Sequence, residues 1–247
     1  MKEDFERVYH QIEKRHFWFV ARRKYILKAL GKVDRNSKIL DIGCSSGIFL
    51  GELAQIGFKQ ENLYGIDIIE NAISNCKNAG LNNTFVMDAQ SIDLKQDFDI
   101  IIASDCLEHL EDDEKALRNW NSLLKPNGLA YIFVPVFMSL WSEHDDANMH
   151  FRRYGRNELS NKLKNNGFEI NKSSFWNVLL FIPIYFVRLI NNIKSSKNDK
   201  TGNLNKLPIF NNFLLSALNF ENRFHNHINF PFGVSSFVFA KKTFPNN

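Results

Sequence analysis

The chain has 247 residues, of which 44% are hydrophobic and 23% charged, a balance that excludes disordered, fibrous and membrane-spanning classes and leaves an ordinary soluble globular protein. Three scattered cysteines, Cys44, Cys76 and Cys106, match neither a metal-ligand spacing nor an even disulfide framework, so a reducing cytoplasm is expected. The net charge of +4 is unevenly divided: residues 1–150 hold 17 Lys/Arg against 23 Asp/Glu, and residues 151–247 hold 14 against 4. The basic C-terminal part is expected to meet phosphate groups or a membrane surface. No nucleic-acid-binding motif accompanies it.

The N-terminus carries Glu3, Asp4 and Glu6 where an export signal needs basic and then apolar residues. Residues 4–30 have apolar side chains near helical spacing, with Gly31 as the stop. Within them, the three consecutive aromatics Phe17, Trp18 and Phe19 exceed what a single core-facing stripe needs. A lid over a ligand and plain packing of an N-terminal helical segment, residues 1–36, both account for them. Arg22 suits a ligand carboxylate.

Residues 39–47 read as a buried strand, Ile39-Leu40-Asp41-Ile42, broken by the small residues of Gly43-Cys44-Ser45-Ser46-Gly47. A helix over 48–57 follows, and such a junction presents amides to a small molecule. Residues 62–69 form a second strand ending at Asp67, 24 positions after Gly43, where an acid accepts both hydroxyls of a ribose. A helix over 70–79 leads to a third strand, 84–89, whose Asp88 can accept from an exocyclic amine such as that of adenine. A fourth strand over 98–104 precedes Asp105, Leu107-Glu108-His109-Leu110 and an acidic helix start at 111–114. The turn Lys125-Pro126-Asn127-Gly128 then precedes a fifth strand over 129–135. Strands alternating with helices at this spacing specify an α/β fold with a doubly wound parallel sheet.

Residues 37–135 resemble class I S-adenosylmethionine-dependent methyltransferases. The resemblance lies in the Asp41-to-Gly47 loop, the strand-end acids Asp67 and Asp88, the Leu-Glu-His-Leu segment and the Lys-Pro-x-Gly turn. It implies a Rossmann-like, mostly parallel seven-stranded sheet. S-adenosylmethionine is the implied cofactor, its methionine end at Asp41, Gly43, Cys44 and Gly47, its ribose at Asp67 and its adenine amine at Asp88. Ile68, Ala89, Asp105, Arg22 and Trp18 complete the expected cofactor set. Ser45 stands where the family often has its second glycine. A nicotinamide fingerprint would need glycines at 45 and 48, and position 48 is Ile.

Residues 140–154 bring imidazoles, carboxylates, guanidiniums and aromatics into one irregular segment beyond the fifth strand. His144 reads as the base that removes an acceptor's proton, oriented by Asp145, with His150 and His109 next in line. Arg152 and Arg153 suit an anionic acceptor, and Tyr154 and Trp141 complete the substrate set. A structural network bracing the loop is the alternative; His144, Asp145 and His150 are also metal-ligand types, but no metal is expected. The loop also resembles a His-Asp, then His-x-Arg-Arg-Tyr pattern of bacterial methyltransferases found near surface-polysaccharide glycosyltransferases.

Gly167 opens a sixth strand, and residues 233–240 form the last, expected to run antiparallel beside it. One domain is therefore expected, with core sheet at 37–174 and 231–247 and an apolar helical insertion at 175–230. The insertion pairs an apolar run, 178–187, with a second helix over 209–224, across a polar linker at 191–206. Ten apolar residues interrupted by Pro183 are too few to span a bilayer. The hairpin suits a cap over the acceptor, a homodimer interface, or a peripheral contact with the inner face of the membrane. Together these readings give methyl transfer to a small-molecule, sugar or lipid-linked saccharide acceptor, as O-methylation with a histidine base. A quinone- or fatty-acid-like acceptor and a non-catalytic cofactor-binding subunit are the alternatives.

Overall fold

A computed structural model describes residues 12–193 and 209–243. A seven-stranded sheet runs through it in the order β3-β2-β1-β4-β5-β7-β6. Its strands are β1 (Ile39–Ile42), β2 (Leu63–Asp67), β3 (Thr84–Val86), β4 (Phe98–Ser104), β5 (Leu124–Pro135), β6 (Phe168–Trp176) and β7 (Ser235–Lys242). The first five are parallel, and β7 runs antiparallel between β5 and β6, as the sequence predicts.

Strand alternation divides the core in two. Leu40, Ile42, Ile101, Ile132 and Val134 point to one face, where they pack with Trp120 and Leu163 of helices α4 (Asp113–Leu123) and α6 (Glu158–Asn165). Ile39, Ile100, Ile102 and Phe133 point to the other, against Tyr25, Leu50, Ile73 and Leu218. That face is covered by α1 (Phe17–Ala29), α2 (Ile48–Gln55), α3 (Glu70–Asn78) and α8 (Asn211–Phe224). Each fully buried Leu, Ile or Phe contributes about 1.5–3 kcal/mol. The sheet is therefore a rigid platform, and its carboxyl-end loops are free to carry chemistry.

Several boundaries differ from expectation. The expected single helix is broken: residues 12–13 are helical, 14–15 turn, and α1 starts afresh at Phe17, where the His16 ring accepts from the Trp18 amide at 3.4 Å; residues 4–11 of the expected helix lie outside the described residues. Strand β5 begins at Leu124, so the Lys-Pro-x-Gly turn sits inside an irregular strand pairing, with Asn127 at a φ of 64°. The short helix α5 (Glu143–Ala147) lies within the segment read as irregular, closed by a capping box between Ser142 and Asp145. In the insertion, α7 (Phe181–Ile193) precedes α8; most of the expected linker lies outside the described residues.

Candidate active site

A cavity of about 1350 Å³ opens beyond the carboxyl ends of β1, β2 and β4. Asp41, Gly43, Cys44, Asp67, Ile68, Asp88, Ala89 and Asp105 all line it. The loop after β1 turns through left-handed conformations at Gly43 (φ 75°), Ser45 (φ 49°) and Gly47 (φ 73°). A side chain at 43 would meet Cys106 at 3.2 Å, so only glycine leaves this approach open. Ser45 takes its uncommon conformation with its amide donating to Asp67 Oδ2 at 2.9 Å, while Asp67 Oδ1 accepts from the Ile69 amide at 3.0 Å. Gly47 is off the wall; it caps α2, and a Cβ there would strike Leu81 at 2.5 Å.

The acids make this half of the cavity a site for a cation. Burial, followed by the charges of Glu13 and Asp67, pushes Asp41 up to about 8. A ligand bearing an ammonium and a sulfonium fits this lining, and the close backbone approach at Gly43 fits its chain. Trp18 lines the same cavity and packs edge-on against Trp176 with centroids 5.3 Å apart, while Phe17 and Phe19 are buried; the aromatic run both packs and covers. Arg22, expected to meet a ligand carboxylate, lines the cavity and pairs with Asp105, which holds a φ of 52°.

The same cavity is lined by Glu108, His109, His144 and His150. His150 Nδ1 meets Asp145 Oδ1 at 3.0 Å. Asp145 is completely buried and also accepts from Arg153 Nε at 2.7 Å, Ser142 N at 2.9 Å and Ser142 Oγ at 3.0 Å. Despite its burial, these donors hold its carboxyl well below the usual carboxylate range. His144 does not take Asp145 as its partner; its ring nitrogens lie 2.9 and 3.1 Å from the Asn148 amide nitrogen, and burial lowers it to about 4. Burial also lowers His109 to about 4, and its ring lies perpendicular to that of His150 at 4.5 Å.

Three residues of the expected substrate set lie off the cavity wall. Arg152 pairs with Asp113 at 3.0 Å, the buried Tyr154 hydroxyl donates to Asp113 at 2.9 Å, and Trp141 Nε1 donates to Asp146 at 2.9 Å. Each side chain is drawn away by a carboxylate that the sequence does not mark as its partner. Arg153 does reach the cavity, but its guanidinium is committed to Asp145 and the Val136 carbonyl.

Sequence reasoning missed Glu108 and Arg188 as site residues. Glu108 is fully buried, and neither carboxylate oxygen has a hydrogen-bond partner among the described residues; burial, then the Asp105 charge, pushes it well up. The Glu-His pair in the Leu-Glu-His-Leu segment was its signal. Arg188 ends the apolar run and donates to the Leu140 carbonyl, 3.8 Å from Asp145. One face of α7 with its approach, Leu180, Pro183, Ile184 and Val187, joins Leu214 of α8 as an apolar wall of the cavity. Ile182 and Phe186 on α7 and Phe213 and Phe220 on α8 are exposed. Among the described residues, no helix is long and apolar enough to cross a membrane.

Sheet order, glycine loop and strand-end acids together define a class I methyltransferase. A family profile for a methyltransferase domain matches residues 12–173, and the chain belongs to that family of S-adenosylmethionine-dependent enzymes. A ubiquinone biosynthesis O-methyltransferase of Coxiella burnetii (strain RSA 493 / Nine Mile phase I) is 30% identical over 114 residues, 44% of this chain and 47% of the relative. One of the same name from Rickettsia conorii (strain ATCC VR-613 / Malish 7) is 31% identical over 100 residues, 38% of this chain and 34% of the relative. The matches span less than half the length of these curated relatives. Among solved structures, a putative sarcosine dimethylglycine methyltransferase from Galdieria sulphuraria has a TM-score of 0.64 at 14% identity, covering 98% of this chain and 99% of its own. The phosphoethanolamine N-methyltransferase 2 of Haemonchus contortus, in complex with phosphomonomethylethanolamine and S-adenosylhomocysteine, has a TM-score of 0.62 at 19% identity, covering 97% and 57%. At such identities these structures speak to the fold alone.

Proposed function

We propose that the enzyme methylates a hydroxyl on a small acceptor whose other end is apolar. The observation that carries this reading is a single cavity in which an acid-lined half, an imidazole cluster and an apolar wall meet. When bound, S-adenosylmethionine supplies a methyl carbon already activated on a sulfonium. Asp41, Gly43, Cys44, Asp67, Ile68, Asp88 and Ala89 are the residues that would hold it, with Asp105 fixed in place by Arg22.

The remaining chemistry is to align the hydroxyl and ease the loss of its proton. Glu108, His109 and His150 receive the head group, and Asp145 fixes the His150 ring so that one nitrogen faces the cavity. Arg153 is a positioning residue acting through Asp145. His144, bonded to Asn148, shapes the wall, and the head group meets His150 in its place. Leu180, Ile184, Val187 and Leu214 line the path of the tail. Together with the similarity to ubiquinone biosynthesis O-methyltransferases, this wall favours a quinone-precursor-like or other lipid-tailed acceptor over a free sugar.

The insertion, in its described parts 175–193 and 209–230, would thus wall the acceptor side of a single domain whose catalytic sheet lies within 37–174 and 231–243, with α1 beside the cofactor. Its exposed aromatic face and the basic excess of residues 151–247 suit the inner surface of a membrane, from which a lipid-tailed acceptor would be drawn. Incubation with methyl-labelled cofactor and fractionated cell extract tests the reading. Label is expected in the organic-solvent extract and absent with H150A; label confined to polysaccharide, RNA or protein would refute it.

A further inference from the structure

We infer that Glu108, His109 and His150 together bind one divalent transition-metal cation. One ligand atom from each lies within 4.8 Å of the other two, and all three residues line the acceptor side of the cavity. A coordination shell with bonds of about 2.1 Å places neighbouring ligands about 3–3.5 Å apart. Side-chain shifts of about an ångström therefore close the set.

Two further observations point to a ligand. The Glu108 carboxylate is fully buried, yet both its oxygens lack hydrogen-bond partners among the described residues, and a buried polar group left in that state is costly. The His150 imidazole, by contrast, is tied at one nitrogen: its Nδ1 proton goes to the Asp145 carboxylate at 3.0 Å. This is the outer-shell arrangement of a metal-binding histidine, with one ring nitrogen donating to a carboxylate and the other left for the cation. Asp145 is in turn held by Arg153 and Ser142.

Two imidazoles and one carboxylate select a zinc-, iron(II)- or cobalt-type cation over magnesium or calcium. Three protein ligands leave at least one coordination position open to the cavity. That position would take the acceptor's hydroxyl oxygen and lower its pKa, releasing the proton to water; this role, unlike the binding itself, rests on the hydroxyl acceptor proposed above. The metal set differs from the His144, Asp145 and His150 group that the sequence places side by side, because Asp145 already serves two cations and Ser142.

The experiment is a titration of the chelator-stripped full chain with Co²⁺ in the absence of cofactor. A visible d–d band saturating at one equivalent, displaced by Zn²⁺, is expected. E108Q and H150A should each weaken binding at least about tenfold, and D145N about 10–100-fold through the His150 ring, while H144A keeps the wild-type affinity. Binding of S-adenosylhomocysteine reports whether each variant has folded. Absence of the band in the wild-type protein, or an affinity unmoved by both E108Q and H150A, overturns the inference. Methyl transfer that survives without any cation site removes the metal and leaves the methyltransferase reading standing; a cobalt site in a chain that methylates no hydroxyl leaves the metal and removes the acceptor.

Discussion

Replacing Asp145 with asparagine tests the tightest polar knot in the molecule. The carboxylate is completely buried and accepts from Arg153 Nε, Ser142 N, Ser142 Oγ and His150 Nδ1 at 2.7–3.0 Å, with Arg188 at 3.8 Å. An asparagine keeps the shape but turns an NH₂ group toward at least one of these donors and leaves the buried Arg153 guanidinium without its counter-charge. Breaking a buried pair from one side costs about 3–5 kcal/mol. For a chain of this length that is on the order of 6–20 °C in Tm. Thermal unfolding by circular dichroism reads the loss directly. D145N combined with R153M should lose about 1–3 kcal/mol less than the sum of the single changes, because the second substitution removes the stranded charge. A D145N protein within about 1 kcal/mol of wild type, or strict additivity in the cycle, would refute the assignment of Asp145 as the tie holding this loop.

Three further outcomes are expected. Asp41 is raised to about 8 in the folded chain against an ordinary value near 4, so its contribution to stability is complete at acid pH and is lost as pH rises through about 8; the Tm of wild type should therefore fall relative to D41N between pH 4 and 8. A cationic ligand ionises the same group, and calorimetric titration with the cofactor at pH 7 in two buffers should show proton release that D41N lacks. G47A forces a side chain into a left-handed residue and against Leu81 and Cys76, and should cost about 2–4 kcal/mol in denaturant unfolding; a loss below about 0.5 kcal/mol would show that the helix start yields more easily than this geometry implies. Finally, F186S with F213S removes two exposed aromatics from the hairpin and should reduce co-sedimentation with anionic vesicles at least about tenfold at unchanged Tm; equal partition of the two proteins would exclude this face as the contact.

The fold was legible because parallel strands announce themselves. Ile39, Leu40 and Ile42, interrupted only by Asp41, and the continuous run Ile100 to Ile102 are apolar and buried on both faces as their pattern requires. The convergence of the strand-end acids was legible for a related reason: acids at strand ends and a glycine loop are local features, and the sheet brings Asp41, Asp67 and Asp88 to one cavity whatever happens elsewhere. The acceptor side depends on pairings across tens of residues. Asp113 draws away both Arg152 and Tyr154, some 40 positions distant, and Asp145 chooses His150 and Arg153 over its neighbour His144. Nothing in the spacing of residues 140–154 fixes those choices. Glu108 was visible within a familiar segment, but only its burial without a partner sets it apart from an ordinary surface acid.

The reach of Arg188 has a consequence for how chain length in an acceptor would be felt. For the lipid-tailed acceptor proposed above, its helix would supply the wall for the tail, and its guanidinium meets both the carbonyl of Leu140 and the field of Asp145, the residue bonded to the His150 ring. Tail and head are thus sensed by one lever. A shortened acceptor would fill the wall incompletely and leave the lever unset, so its loss would fall on turnover as much as on affinity, the behaviour expected when remote binding energy is used to align the reacting end.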